Sequence, residues 1–174
     1  KIAAITEDKI SGQQTIDATS LVVAPGFIDG HQHSIEPYGY RLMVRDGRTT
    51  ILDLEIGAFG KKLDEWYKRR EGNCPINYGV AVSHEFARAA VLDGFDDWKY
   101  LNTPDAVRSR ENSEGWSKTR PTLEQGNQIL MIMDEGLRQG GIGIGSTVGY
   151  MREGVSSREI YELQRLSGLY GRQI

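Results

Sequence analysis

The sequence predicts an α/β protein built on a parallel sheet. Three observations carry that expectation. Apolar, β-branched runs alternate with segments of helical periodicity, strand then helix, four times along the chain. The runs read as strands buried on both faces, the habit of parallel sheets. His31-Gln32-His33, Asp53-Leu54-Glu55 and Ser83-His84 fall where three of these strands end, and parallel α/β proteins place their chemistry at that end.

The elements follow in order. Lys1–Thr6 and Gln14–Ile16 read as short strands, separated by turn signals at Glu7-Asp8 and Ser11-Gly12. Leu21–Asp29 is an apolar run with a Pro25-Gly26 break. Pro37–Asp46 has helical spacing through Tyr40, Met43 and Val44, with Gly47 as its stop. Thr49–Ile56 is the next strand, and Lys61–Arg70 is a charged helix carrying Leu63, Trp66 and Tyr67 on one side. Ile76–Ser83 and Glu85–Leu92 make the third strand and helix. Asp93–Lys118, with Trp98, Tyr100 and Trp116, is a long polar excursion, a length usually tied to function or mobility.

Thr122–Gln139 is the clearest helix. Thr122 and Gln125 have capping-box spacing, and Leu123, Leu130, Met133 and Leu137 give an apolar face. Gly140-Gly141 stops it, Ile142–Val148 is a glycine-rich strand, and Ser156 with Glu159 opens a last helix. Ile160, Leu163, Leu166 and Leu169 form that helix's expected core stripe. Periodicity alone leaves a barrel and an open sheet both standing.

Composition bounds the function. The 174 residues are the size of one domain, and 39% hydrophobic with 26% charged residues is a globular composition. A net charge of -3 argues against a nucleic-acid backbone as partner, which calls for a basic face. No apolar run nears the roughly 18 residues that suggest a membrane span. The single cysteine, Cys74, excludes an internal disulfide and suits a reducing, cytoplasmic compartment. The chain begins inside a strand-like segment and stops after a helical pattern, so a fragment of a longer protein is expected.

The strand ends carry the chemistry. In a strand, residues i and i+2 share a face, so His31 and His33 project side by side. Neutral imidazoles suit zinc and its neighbours, and two surface histidines are the alternative. Asp53 and Glu55 likewise share a face. Buried carboxylates need partners, either a metal or a basic side chain, and Glu55, nearer the strand's end, is the better ligand candidate. His84 either faces substrate or serves the core or the following helix. Tyr150 faces a pocket or sits exposed in a loop. The glycines from Gly140 to Gly145 miss the dinucleotide spacing, because Ser146 stands where the third glycine belongs. They are expected to permit close packing.

Taken together, these residues resemble the amidohydrolase superfamily, and within it the N-acyl-D-amino-acid deacylase (D-aminoacylase) branch. Val23-Ala24-Pro25-Gly26-Phe27-Ile28-Asp29-Gly30-His31-Gln32-His33 is similar to the superfamily's first-strand signature. Gly47-Arg48-Thr49-Thr50, the Ser83–Val91 segment with His84 and Arg88, and Gly140–Tyr150 with the helix after it resemble further deacylase segments. The resemblance implies the first half of a TIM-like (β/α)8 barrel. Residues 1–20 would be part of a small composite β-sandwich domain, and residues 21–174 the first four β/α units. It implies metal-dependent hydrolysis of an amide in a small molecule, with one or two zinc ions. His31 and His33 match metal ligands, and His84 and Tyr150 match positions near substrate. The deacylases commonly place a cysteine ligand after the second strand. Here Glu55-Ile56-Gly57 occupies that stretch, and Glu55 takes the role.

Two further histidines and the catalytic aspartate would come from strands beyond Ile174. A hydantoinase- or dihydroorotase-like ring opener is the alternative, favoured by a carbamylated lysine ligand, and no lysine lies near the second strand's end. A non-catalytic fragment is the third reading. An unpaired sheet edge would favour a homo-oligomer or pairing with the missing half-barrel.

Overall fold

The computed structural model describes residues 2–33, 37–95 and 113–174. Four parallel strands, β1 (Phe27–Asp29), β2 (Arg48–Ala58), β3 (Asn77–Ser83) and β4 (Ile144–Gly145), lie in the order β1-β2-β3-β4. Parallel neighbours need a crossover, and helices supply it. The helix α1 (Pro37–Arg45) joins β1 to β2. A 3-10 turn at Gly60–Lys62 runs into α2 (Leu63–Lys68) and leads to β3. Between β3 and β4 come α3 (His84–Leu92), α4 (Gly115–Lys118) and α5 (Leu123–Arg138). After β4 follow α6 (Val148–Met151) and α7 (Ser157–Leu169). Each strand pairs with the next in sequence, which is the progression of a β/α barrel. Outside β4, Gly143 bridges in parallel to Gln173, and the Ile144 N–H donates to the Gln173 carbonyl at 2.9 Å.

The core forms between sheet and helices. Tyr78, Val80 and Val82 share one face of β3, and all three pack against helical side chains. The main cluster joins Val80, Val82 and Ile144 to Phe86 of α3, Ile129, Met133 and Leu137 of α5, and Leu163 of α7. A smaller one sets Ile51 of β2 against Tyr40 and Met43 of α1. Cys74 is half-buried and packs at its margin.

The local signals explain the helix starts. The Thr122 hydroxyl accepts from the Gln125 N–H at 3.2 Å, and the Gln125 side chain accepts from the Thr122 N–H at 2.9 Å, a complete capping box. Gly47 ends α1 with φ +83°, a conformation that glycine enters at no steric cost. In the glycine-rich stretch, a Cβ on Gly141 would lie 2.4 Å from Val82 and one on Gly145 2.4 Å from the Glu55 carbonyl. These glycines serve packing.

Several expectations fail. Residues 2–26 form no strand, although Lys1–Thr6 and Gln14–Ile16 have strand-like composition. Their apolar side chains stand in solvent, Ile5 at 90% and Val22 at 93% exposure. Two short ribbons with nothing to pair or pack against do not hold a ladder. The fourth strand is shorter than expected, Ile144–Gly145 rather than Ile142–Val148, although the Ile142 N–H already bonds to the Val80 carbonyl. Ser146 and Thr147 turn their hydroxyls to His84 and Glu85 of α3, which takes the chain out of the ladder. Leu123 of α5 and Leu169 of α7 are exposed, and on the α5 face Ile129 and Ile132 are buried instead of Leu123. Trp98 and Tyr100 lie outside the described residues. Among the described residues, no helix is long and apolar enough to cross a membrane.

Candidate metal centre

The carboxyl ends of β1 and β2 bring His31, His33 and Glu55 together. Past β1 the chain stays beside β2: the Gln32 N–H donates to the Leu52 carbonyl at 3.2 Å, and His31 bridges Asp53. Asp29 braces the turn, accepting from the His31 N–H at 3.1 Å while Arg48 holds its other oxygen at 3.2 Å. On β2, pairing with β3 slips between Asp53 and Ala58. A bulge of this kind re-aims side chains at a strand's end. Gly57 makes it possible: its φ is +75°, and a Cβ there would sit 2.4 Å from the Ala81 carbonyl.

The resulting geometry is convergent. His31 Nε2 lies 2.8 Å and His33 Nε2 3.3 Å from the same Glu55 oxygen, Oε2. The two rings meet edge to face at 4.9 Å. One donor atom from each of the three residues lies within 4.8 Å of the others. Donors about 2.0 Å from a tetrahedral ion stand about 3.3 Å apart, so the set needs only small adjustments to share one. Two imidazoles and a carboxylate form a known three-ligand set that leaves a coordination position open. The donors therefore fit a zinc-like ion. The Asp53 carboxylate, itself buried, accepts from His33 Nδ1 at 3.0 Å and from the Gly57 N–H at 2.9 Å. The partners of the two β2 carboxylates are thus histidines and a backbone amide, rather than the basic side chain held open from sequence.

His84 lies apart from this cluster. Its side chain is fully buried, with Nδ1 2.8 Å from the Ser146 hydroxyl and Nε2 2.8 Å from Glu159. Burial pushes the imidazole below its usual pKa, against the pull of Glu159. Burial also pushes the Glu159 carboxyl up, but hydrogen bonds from His84 and Arg88 outweigh it and hold the group below the usual range. The lowered imidazole favours a neutral ring, and the lowered carboxyl an ionised partner for it. Nε2–H donates to the Glu159 carboxylate, and Nδ1 accepts from Ser146.

Arg88, also fully buried, donates to Glu159 at 2.6 Å, to the Trp116 carbonyl at 2.6 Å and to the Thr119 carbonyl at 2.7 Å. The network ties α3 and α7 to the segment around α4. Tyr150, on α6, is 67% exposed. Of the five residues singled out for the site, the structure joins three and sets His84 and Tyr150 elsewhere. Asp53 and Glu159 are the carboxylates whose partners sequence reasoning missed. The signal for Asp53 was its place two residues before Glu55. Glu159 carried only a capping signal, and its side chain turns inward from that cap.

This parallel strand–helix progression is that of a TIM-like barrel, with two histidines just past its first strand. Among solved structures, the chain superposes on D-aminoacylase with a TM-score of 0.60 at 20% identity, covering 85% of its own length and 33% of that chain. An N-acyl-D-glutamate deacylase from Bordetella bronchiseptica, complexed with zinc and a phosphonate inhibitor, gives a TM-score of 0.60 at 18% identity, with 85% and 32% covered. By sequence, the chain is 34% identical over 153 residues to a D-hydantoinase of Streptomyces coelicolor, covering 75% of this chain and 33% of that protein. It is 32% identical over 96 residues to an allantoinase of Enterococcus faecalis, covering 45% and 21%. No protein-family model matches. In sequence and in fold the chain is thus similar to amidohydrolases, the superfamily its first-strand motif resembles. It spans about a third of the length of the D-hydantoinase and of the D-aminoacylase.

Proposed function

We propose that this chain supplies the first-strand metal site of a hydrolase acting on non-peptide C–N amide bonds, of the N-acyl-D-amino-acid deacylase kind. The convergence of His31, His33 and Glu55 on a common point carries the reading. Zinc, one ion or two, is the proposed cofactor, and when bound it supplies Lewis acidity to an amide carbonyl and to water. The chain's own residues hold the ion: His31 and His33 through Nε2, and Glu55 through its carboxylate. His84 and Tyr150 are assigned to the substrate side. Tyr150 has the exposure to touch a ligand, whereas His84 acts through Ser146 and Glu159. The general base is assigned to an aspartate outside this sequence, so the 174 residues alone are expected to be inactive.

A composite β-sandwich including residues 1–20 would cover the exposed isoleucines of that segment. The exposed Phe27 and Ile28 on β1, at the sheet's edge, suit pairing with further strands or a second copy. A cytoplasmic setting suits the free Cys74.

A second reading is a cyclic amidohydrolase. The 34% identity to a D-hydantoinase favours it. The zinc-loaded product of the complete reading frame, offered an N-acetyl-D-amino acid, its L enantiomer and a 5-substituted hydantoin, separates the two. Release of the free D-amino acid supports the first reading. Ring opening alone supports the second. Binding of zinc with turnover of none of them contradicts both.

A further inference from the structure

We propose that Asp53 is a positioning residue that sets both the tautomer of His33 and the shape of the β2 bulge carrying Glu55, an inference that rests on the metal-site reading above. Its carboxylate works in two directions. Oδ2 accepts from His33 Nδ1 at 3.0 Å, and Oδ1 accepts from the Gly57 N–H at 2.9 Å. A carboxylate can only accept, so it draws the ring proton to the nitrogen facing it. Nε2 also faces a carboxylate, that of Glu55, but at the longer distance of 3.3 Å against 3.0 Å. The proton is therefore assigned to Nδ1, and Nε2 is the atom that would offer its lone pair to an ion shared with Glu55. A metal-ligating histidine is commonly oriented through its other ring nitrogen in this way.

The second contact spans the register slip. Asp53 is the last residue of the regular β2–β3 pairing, and Gly57 lies within the slipped stretch. Glu55 sits midway between them. The Asp53–Gly57 bond closes the loop of backbone that aims Glu55 at the two imidazoles. One buried side chain, 7% exposed, therefore fixes ligands on two strands. With a neutral partner at this position, His33 loses its reason to keep the proton on Nδ1.

The Asp53→Asn substitution tests this. The asparagine carbonyl still accepts from the Gly57 N–H, while its NH2 now donates to Nδ1 and drives the ring proton to Nε2. Two-dimensional 15N–1H spectra of the metal-free chain at pH 8 read the His33 tautomer directly. The expected result is Nδ1–H in the parent chain and Nε2–H in D53N. Zinc competition against a chelator is the second readout. D53N is expected to bind about 10–100-fold more weakly than the parent, with a metal-free Tm close to the parent's. D53A, which also loses the Gly57 bond, is expected to lower the Tm as well.

A parent His33 already protonated on Nε2 overturns the proposal. So does zinc binding by D53N within twofold of the parent. Absence of zinc binding in the parent defeats the metal reading instead, and the tautomer comparison still decides the role of Asp53.

Discussion

At the ends of β1 and β2, two imidazoles and Glu55 converge where water reaches them; at the end of β3, His84 meets Glu159 under full burial. The side chain of His31 is 70% exposed and that of Glu55 37%, against 0% for His84 and 9% for Glu159. The two clusters use the same residue types at equivalent places in the sheet, yet they suit different work. The open cluster has donors facing one another with room for an ion. The sealed one has both ring nitrogens occupied and a buried arginine neutralising its carboxylate. A histidine at a strand's end is therefore a ligand candidate only if one ring nitrogen faces other donors across space that an ion can enter. Burial decides this, and so does what the next strand and helix bring.

If the sealed cluster is structural, breaking it should cost stability and leave metal binding intact. Arg88→Ala removes the partner of a buried carboxylate and frees two carbonyls, an expected loss of about 3–5 kcal/mol in urea unfolding. Arg88→Lys should recover only part of it, because one ammonium cannot serve three acceptors in a planar fork. The open cluster depends instead on the bulge. Gly57→Ala forces a side chain into φ +75° and against the Ala81 carbonyl, with an expected cost of about 1–3 kcal/mol and weakened zinc binding.

The pH response should come from the sealed side. His84 is held below its unfolded value of about 6.5, so the unfolded chain takes up the proton first as pH falls. The stability is present in full above that value and is lost below it, with a slope of up to about 1.4 kcal/mol per pH unit. Glu159, also depressed, adds a further loss at lower pH, below its unfolded value of about 4.3. His84→Gln should flatten the Tm profile as pH falls below about 6.5, and an unchanged profile would remove His84 as its source. The smallest effect tests neither cluster: Thr122→Ala should cost about 1 kcal/mol through the lost cap of α5.

Much of the fold was legible because local signals and tertiary demands agree. The caps of α5 and α7, the stop at Gly47 and the close-packed glycines near β4 each have a short-range cause visible in the residue types. His31, His33 and Glu55 were legible from strand parity and the first-strand motif together. The failures have longer-range causes. Residues 2–16 have strand composition but no pairing partner. The end of β4 is decided by hydroxyl contacts to His84 and Glu85, 62 residues earlier. The fate of His84 depends on Glu159, 75 residues away, and no local pattern announces that pairing. Leu123 and Leu169 follow the helical period but lie at helix ends, where the core no longer covers them.

The most direct test of the two-cluster account is zinc stoichiometry by equilibrium dialysis on three proteins: the parent chain, His31→Ala/His33→Ala, and His84→Gln. The account predicts one or more bound ions in the parent, none at the same free zinc in the double variant, and parent-like binding in His84→Gln. Zinc retained by the double variant, or lost from a folded His84→Gln protein, would contradict it.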